Sequence, residues 1–157
     1  MIDAKRRILL KGSLAAGAVG IAAGAGLLTP RAVLAAWPES AFAAKSVDDA
    51  LEGLLGTSSH EVSDSIKIKA PDIAENGAVV PVTVESDVDG IDSISVLAAG
   101  NQTPLIASFN LGAGALGFVS TRIKMAKTAE VIAVVKAGDK IFSASKEVKV
   151  TIGGCGG

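Results

Sequence analysis

The chain has 157 residues, with 15 Lys+Arg against 16 Asp+Glu, one His, one Cys and five aromatic side chains. This length fits one domain better than two, and a single cysteine excludes an internal disulfide framework or a multi-cysteine metal site. A charge near zero and the lack of Tyr leave no electrostatic or stacking case for nucleic acid.

The apolar fraction is nearly half, but part of it serves targeting. Lys5, Arg6, Arg7, Lys11 and Arg31 bracket an uncharged run from Gly12 to Pro30, in which eleven of 19 residues are Gly or Ala. So mild a run falls short of a membrane span. A basic head, an apolar middle and a small-residue exit instead describe a signal peptide rather than a retained anchor. Arg6-Arg7 followed by Ile8-Leu9-Leu10-Lys11 is similar to a twin-arginine export signal. Cleavage is expected after Ala35 or Ala36, with Ala43 second. Removing residues 1–36 takes away five cations and one anion, which leaves ten cations against fifteen anions and a net charge of −5 on 121 residues. A chain of that size buries a core without staples. Twin-arginine export moves folded proteins, which calls for either an early cofactor or a partner carried along. Nothing downstream resembles a cofactor cage, so a partner is the expectation.

Residues 37–65 are expected to form a short helix and a polar loop. Ser46 can cap the helix, Asp48 and Asp49 suit its positive end, Val47, Leu51, Leu54 and Leu55 share a face, and Gly56 is a stop. From Ile66 to Ile152 the period changes to two. Ile66/Ile68, Val80/Val82/Val84, Ile94/Val96, Leu105–Phe109, Val119–Met125, Val131–Lys136 and Val148–Ile152 give about seven strands, with Ile94 and Val96 alternating with Ser93 and Ser95. Asn76-Gly77, Asp89-Gly90, Gly100-Asn101 and Gly138-Asp139 punctuate them as turns tolerant of positive φ. The pattern predicts an all-β fold, an immunoglobulin-like antiparallel β-sandwich without that family's disulfide or core Trp. Pro81 inside a valine-rich run predicts an edge strand or a bulge.

The chain ends in Gly153-Gly154-Cys155-Gly156-Gly157. Four glycines pack no core, so residues 153–157 are expected to form a flexible arm whose one functional group is a thiol. Five extended residues span about 16–18 Å, and an arm this thin can enter a narrow channel. No local charge or helix end depresses the thiol from its ordinary value of about 8.5. A thiol in that setting is no catalyst by itself and suits a carrier activated inside partners. Prenylation does not fit, because the cysteine is not fourth from the end.

Other polar clusters have plainer readings. Asp87, Asp89 and Asp92 around Gly90 lack the Gly and Glu of a calcium-binding helix–loop–helix, so a solvated turn is expected. His60 has no ligand-spaced partner, and Ser58, Ser59 and Ser63 lack a hydrolase framework. Arg122 and Lys124 read as solvated, with contact to a partner as the alternative. No metal site and no cofactor of its own are expected.

The terminal Gly153–Gly157 motif, the block Ile68-Lys69-Ala70-Pro71-Asp72-Ile73-Ala74-Glu75-Asn76-Gly77 with Val80-Pro81-Val82, and Thr121-Arg122-Ile123-Lys124-Met125-Ala126-Lys127 together resemble the SoxY family. Its members are the sulfur-carrier subunits of the periplasmic thiosulfate-oxidising Sox system. The resemblance implies a carrier and not an enzyme, with Cys155 holding S-thiosulfonate and persulfide intermediates and Gly153, Gly154, Gly156 and Gly157 giving reach and clearance. It implies a heterodimer with a leaderless SoxZ-like subunit. It also implies a c-type cytochrome, a di-manganese sulfate-releasing hydrolase and a sulfur dehydrogenase as partners. Arg6 and Arg7 would direct export to the periplasm. The competing class is a structural or adhesive module whose tail cysteine only crosslinks.

Overall fold

The computed structural model describes residues 38–152. Two helices open this region, α1 (Glu39–Ala43) and α2 (Val47–Leu55). Nine strands follow: β1 (Glu61–Val62), β2 (Ile66–Lys69), β3 (Ile73–Ala74), β4 (Val80–Ser86), β5 (Ser93–Ala98), β6 (Leu105–Asn110), β7 (Phe118–Ile123), β8 (Ala129–Ala137) and β9 (Lys140–Val150).

Helix α2 forms as its sequence dictates. The Ser46 hydroxyl accepts from the Asp49 amide at 3.1 Å, Asp48 and Asp49 occupy the first turn, and Gly56 closes the helix at φ 80°. Helix α1 was not anticipated. It is one short turn starting after Pro38, and its Ala41 is fully buried. It abuts α2 so closely that a Cβ on Gly53 would lie 2.9 Å from the Ala41 nitrogen.

The strands build a β-sandwich, as the period-two pattern predicts. One sheet runs β1-β9-β8-β5-β6, with β3 also on β9; the other runs β2-β4-β7. The long ladders are antiparallel, while β1 and β3 add short parallel pairs along the outer flank of β9. Strands β8 and β9 are joined by Gly138-Asp139, with positive φ at Gly138 alone, the arrangement of a type II′ turn. Gly90 also takes positive φ, whereas Gly77 and Gly100 do not. Gly100 is needed for space: a Cβ there would sit 2.6 Å from that of Ala129.

Val80, Val82 and Val84 of β4 face Ile94 and Val96 of β5 and Val131, Ala133 and Val135 of β8, with Ile123 and Met125 completing the core between the sheets. The opposite face of the larger sheet is covered by the helices, where Leu97, Leu105 and Val134 meet Ala41, Ala50 and Leu51. Strand β5 is therefore buried on both faces. The serine face of β5 is interior as well, and Ser95 satisfies its hydroxyl against that of Ser108 directly across the ladder at 2.9 Å.

Pro81 also departs from expectation. Strand β4 is the middle of its sheet, and no register shift interrupts its pairing with β7. The proline is tolerated because β2 stops opposite Thr83, so on that flank no ladder requires its missing N–H.

Candidate functional site: the root of the C-terminal segment

Cys155 and its glycines Gly153, Gly154, Gly156 and Gly157 lie outside the described residues, as do Arg6 and Arg7. The structure does define the base from which the cysteine segment leaves. Strand β9 is gripped on both flanks at its end. On one side β3 pairs Ile73 with Lys149 and Ala74 with Val150, and the Lys149 amide donates to the Asp72 carbonyl at 3.0 Å. On the other, the Thr128 hydroxyl accepts from the Val150 amide at 2.9 Å and donates back to the Val150 carbonyl at 3.4 Å.

The grip continues beyond the strand. The Thr151 amide donates to the Ala74 carbonyl at 3.1 Å, and its hydroxyl donates to the Glu75 carbonyl at 3.0 Å. The Gly77 amide then donates to the Ile152 carbonyl at 2.8 Å. The Asn76-Gly77 turn, read from sequence as a simple reversal, is thus a clamp. Its shape is held by the Asn76 side chain, which accepts from the Ala78 amide at 2.8 Å. Lys146 ties the approach to β3 by donating to the Ala70 carbonyl at 2.6 Å and pairing with Asp72 at 3.0 Å. That pair is largely exposed on the Asp72 side and adds little stability.

A third layer braces the clamp. The Met125 amide donates to the Gly77 carbonyl at 2.7 Å, and the Met125 side chain is fully buried. On either side of Met125, Asn101 acts as a two-point brace, donating from Nδ2 to the Lys124 carbonyl and accepting the Ala126 amide at Oδ1, both at 2.8 Å. Sequence reading placed Asn101 in a turn and gave Thr128 no role. Both act on backbone groups distant in the chain, a pairing that no local motif announces. Ile73, Val79 and Ile152 are all more than half exposed around this root.

The bond to the Ile152 carbonyl lies at the C-terminal limit of the described residues, and Cys155 follows three residues later in the sequence. Three extended residues span at most about 10–11 Å of backbone. Thr128→Val keeps the side-chain volume and removes both bonds to Val150. We expect a loss of about 1 kcal/mol, together with faster amide exchange at Val150 to Ile152 and unchanged exchange in β5. Hydrogen exchange with a thermal melt checks this.

His60 is exposed and its Nδ1 lies 2.8 Å from the Ser58 carbonyl. Asp92 accepts the Gly138 amide at 2.8 Å, bracing the β8–β9 turn. Among the described residues no cluster of His, Cys, Asp or Glu is arranged to hold a metal ion, and no helix is long and apolar enough to cross a membrane.

Residues 51–155 match the family model described as sulfur oxidation protein SoxY. Among solved structures, the chain is similar to the sulfur carrier protein SoxY from Chlorobium limicola f thiosulfatophilum, at 45% identity over 73% of this chain and 99% of that one, with a TM-score of 0.63. An engineered protein at 16% identity, covering 55% of this chain and 20% of its own, has a TM-score of 0.41. A superantigen, toxic shock syndrome toxin-1, at 9% identity covers 54% of this chain and 98% of its own with a TM-score of 0.37. Neither of those two likenesses carries an argument. No curated protein matches the chain. The family match over most of the chain, with the carrier from Chlorobium aligned along nearly its whole length, shows that this protein belongs to the SoxY family of sulfur carriers and takes part in sulfur oxidation as a carrier, not as an enzyme.

Proposed function

We propose that the chain carries sulfur intermediates covalently on the Cys155 sulfur, offering them to partner enzymes of a thiosulfate-oxidising system on a swinging glycine arm. The observation that carries this reading is the clamped root. Bonds from Ala74, Glu75, Gly77 and Thr128 hold the chain through Ile152. The body is thereby braced up to the residue from which the glycines leave. A loosely attached tail would suit a crosslinking module equally well; a braced base with permissive glycines beyond it suits repeated delivery to a defined place.

In this reading a c-type cytochrome joins thiosulfate to the Cys155 thiol. The S–S bond forms with loss of the thiol proton, and two electrons pass to haem, giving the S-thiosulfonate. A di-manganese hydrolase adds water across the terminal S–S bond, which releases sulfate and leaves a persulfide. A sulfur dehydrogenase oxidises the outer sulfur to a sulfonate, taking three oxygens from water and passing six electrons to a cytochrome acceptor, and the hydrolase adds water to remove it as a second sulfate and restore the thiol. The metals and haem belong to the partners. Cys155 supplies only the attachment point, while Gly153, Gly154, Gly156 and Gly157 provide clearance.

The body works as a heterodimer with a leaderless SoxZ-like subunit, and both reach the periplasm folded through the Arg6-Arg7 signal. Cleavage after Ala35 or Ala36 is supported by α1, since cutting after Ala43 would delete the fully buried Ala41 from the helix-covered face. A reconstituted single turnover tests the scheme. Carrier loaded with thiosulfate and mixed with the hydrolase is expected to release one sulfate per Cys155 and to become heavier than the free thiol by one sulfur atom. Sulfate release from a carrier lacking Cys155 would refute it.

A further inference from the structure

A cleft of about 740 Å³ opens between the β5–β6 turn, the end of β7 and the short connection before α2. Lys45, Arg122 and Lys124 stand around it, Leu105 and Ile123 close its floor, and no carboxylate lines it. All three cations are exposed, and none has a carboxylate within 4.0 Å among the described residues. Ion pairs engage only Lys67, Lys69 and Lys146 among the described residues, and Lys127, Lys136, Lys140 and Lys149 are likewise unpaired, so what marks the cleft is that three such cations line one concavity. Three unmatched cations therefore converge on a body whose net charge after residue 36 is −5. Such a focus draws negative charge from solution.

The cleft is coupled to the root of the cysteine segment. Its wall includes Lys124 and Ala126, the two residues held by Asn101. Met125 between them donates to the Gly77 carbonyl, and Gly77 donates to the Ile152 carbonyl. Two hydrogen bonds across one glycine place the Met125 nitrogen at most roughly 9 Å from the Ile152 oxygen. Cys155 follows Ile152 by only three residues in the sequence, so an enzyme that takes it up would meet the body near this strap. The cleft is also several times the volume of a sulfur oxyanion and is open at its mouth, which suits a protruding protein segment.

We propose that the cationic cleft is the docking surface for an acidic rim around the active-site channel of the enzymes that receive Cys155. The inference rests on the carrier reading and adds to it a recognition surface on the body of the protein. Rim charges act chiefly on encounter, so they govern the apparent affinity for the carrier more than the chemical step.

The test uses the full carrier with its partner subunit, comparing wild type, Arg122→Glu with Lys124→Glu, and the conservative Arg122→Lys with Lys124→Arg. Each is loaded with tetrathionate, which forms the Cys155 S-thiosulfonate and expels thiosulfate without an enzyme. Equal loading shows that the cysteine is equally accessible in all three. The di-manganese hydrolase is the probe. For the charge-reversed carrier KM is expected to rise about 10–100-fold at low salt with kcat within about twofold, and the fall of kcat/KM with ionic strength is expected to flatten. The conservative pair should restore both. A charge-reversed carrier with wild-type KM and salt dependence overturns the docking surface. Loss of the heterodimer in that variant also overturns it, by giving the cleft to the partner subunit. Wild-type carrier that loads but is never processed would instead overturn the carrier reading.

Discussion

Cys155→Ser is expected to abolish thiosulfate-dependent sulfate production while leaving the melting temperature and the heterodimer unchanged. The two halves of this expectation have separate grounds. Serine cannot form the sulfur–sulfur bond on which every later step acts, and the sequence holds no second cysteine to substitute for it. The fold is indifferent to the change because the core between the sheets and the helix-covered face are complete within residues 38–152. Sulfate release in a reconstituted system, with a thermal melt and size-exclusion chromatography, checks both halves. A destabilised variant would mean that the cysteine belongs to the body of the fold.

Gly154→Phe and Gly156→Phe are expected to lower kcat/KM for carrier processing by about 10–100-fold with no loss of stability. A benzyl group on either side of Cys155 adds bulk where the chain must thread a channel, and it narrows the backbone conformations open to that position. Misplacement of a reacting atom by an ångström already costs about a hundredfold in rate. Loading by tetrathionate in free solution provides the control and should proceed at the wild-type rate. Phenylalanine variants that are processed normally would show that the receiving site is wide. The glycines would then serve reach alone.

These expectations depend on a division of labour between the body and its end. The sandwich grips β9 from both flanks and continues the grip through Thr151 and Ile152 by bonds to Ala74, Glu75 and Gly77. On the proposed carrier reading, a strand that simply ended at Val150 would lengthen the tether between the body and Cys155. Holding Ile152 shortens the tether. That raises the effective concentration of Cys155 at whatever surface docks nearby.

Much of this was legible in the residues, for identifiable reasons. Helix α2 is specified locally by Ser46 at its start and Gly56 at its end, so its span could be placed to the residue. The alternation of Val80, Val82 and Val84 with Pro81, Thr83 and Glu85 reports one buried face, and all three valines are core. Alternation alone does not show that Ser93 and Ser95 are buried as well, because it reveals which residues differ and not whether a second layer covers the other side. Here α1 and α2 provide that layer, and a mutual bond between Ser95 and Ser108 removes the cost of burial. The two-residue strands β1 and β3 have no local signature, since their partner β9 lies more than seventy residues further along. The clamp at Asn76-Gly77 was visible as a turn, but its function emerges only when Met125 and Ile152 arrive from elsewhere in the chain.

The central claim is that Cys155 carries covalent sulfur during turnover, and mass analysis of protein taken from the periplasm of cells growing on thiosulfate tests it most directly. The account predicts that intact protein beginning after residue 36 shows forms heavier than the thiol by a sulfane sulfur and by a thiosulfonate, with both additions on the peptide that contains Cys155 and absent after reduction. Protein found only as free thiol or as protein disulfide under those conditions would contradict it.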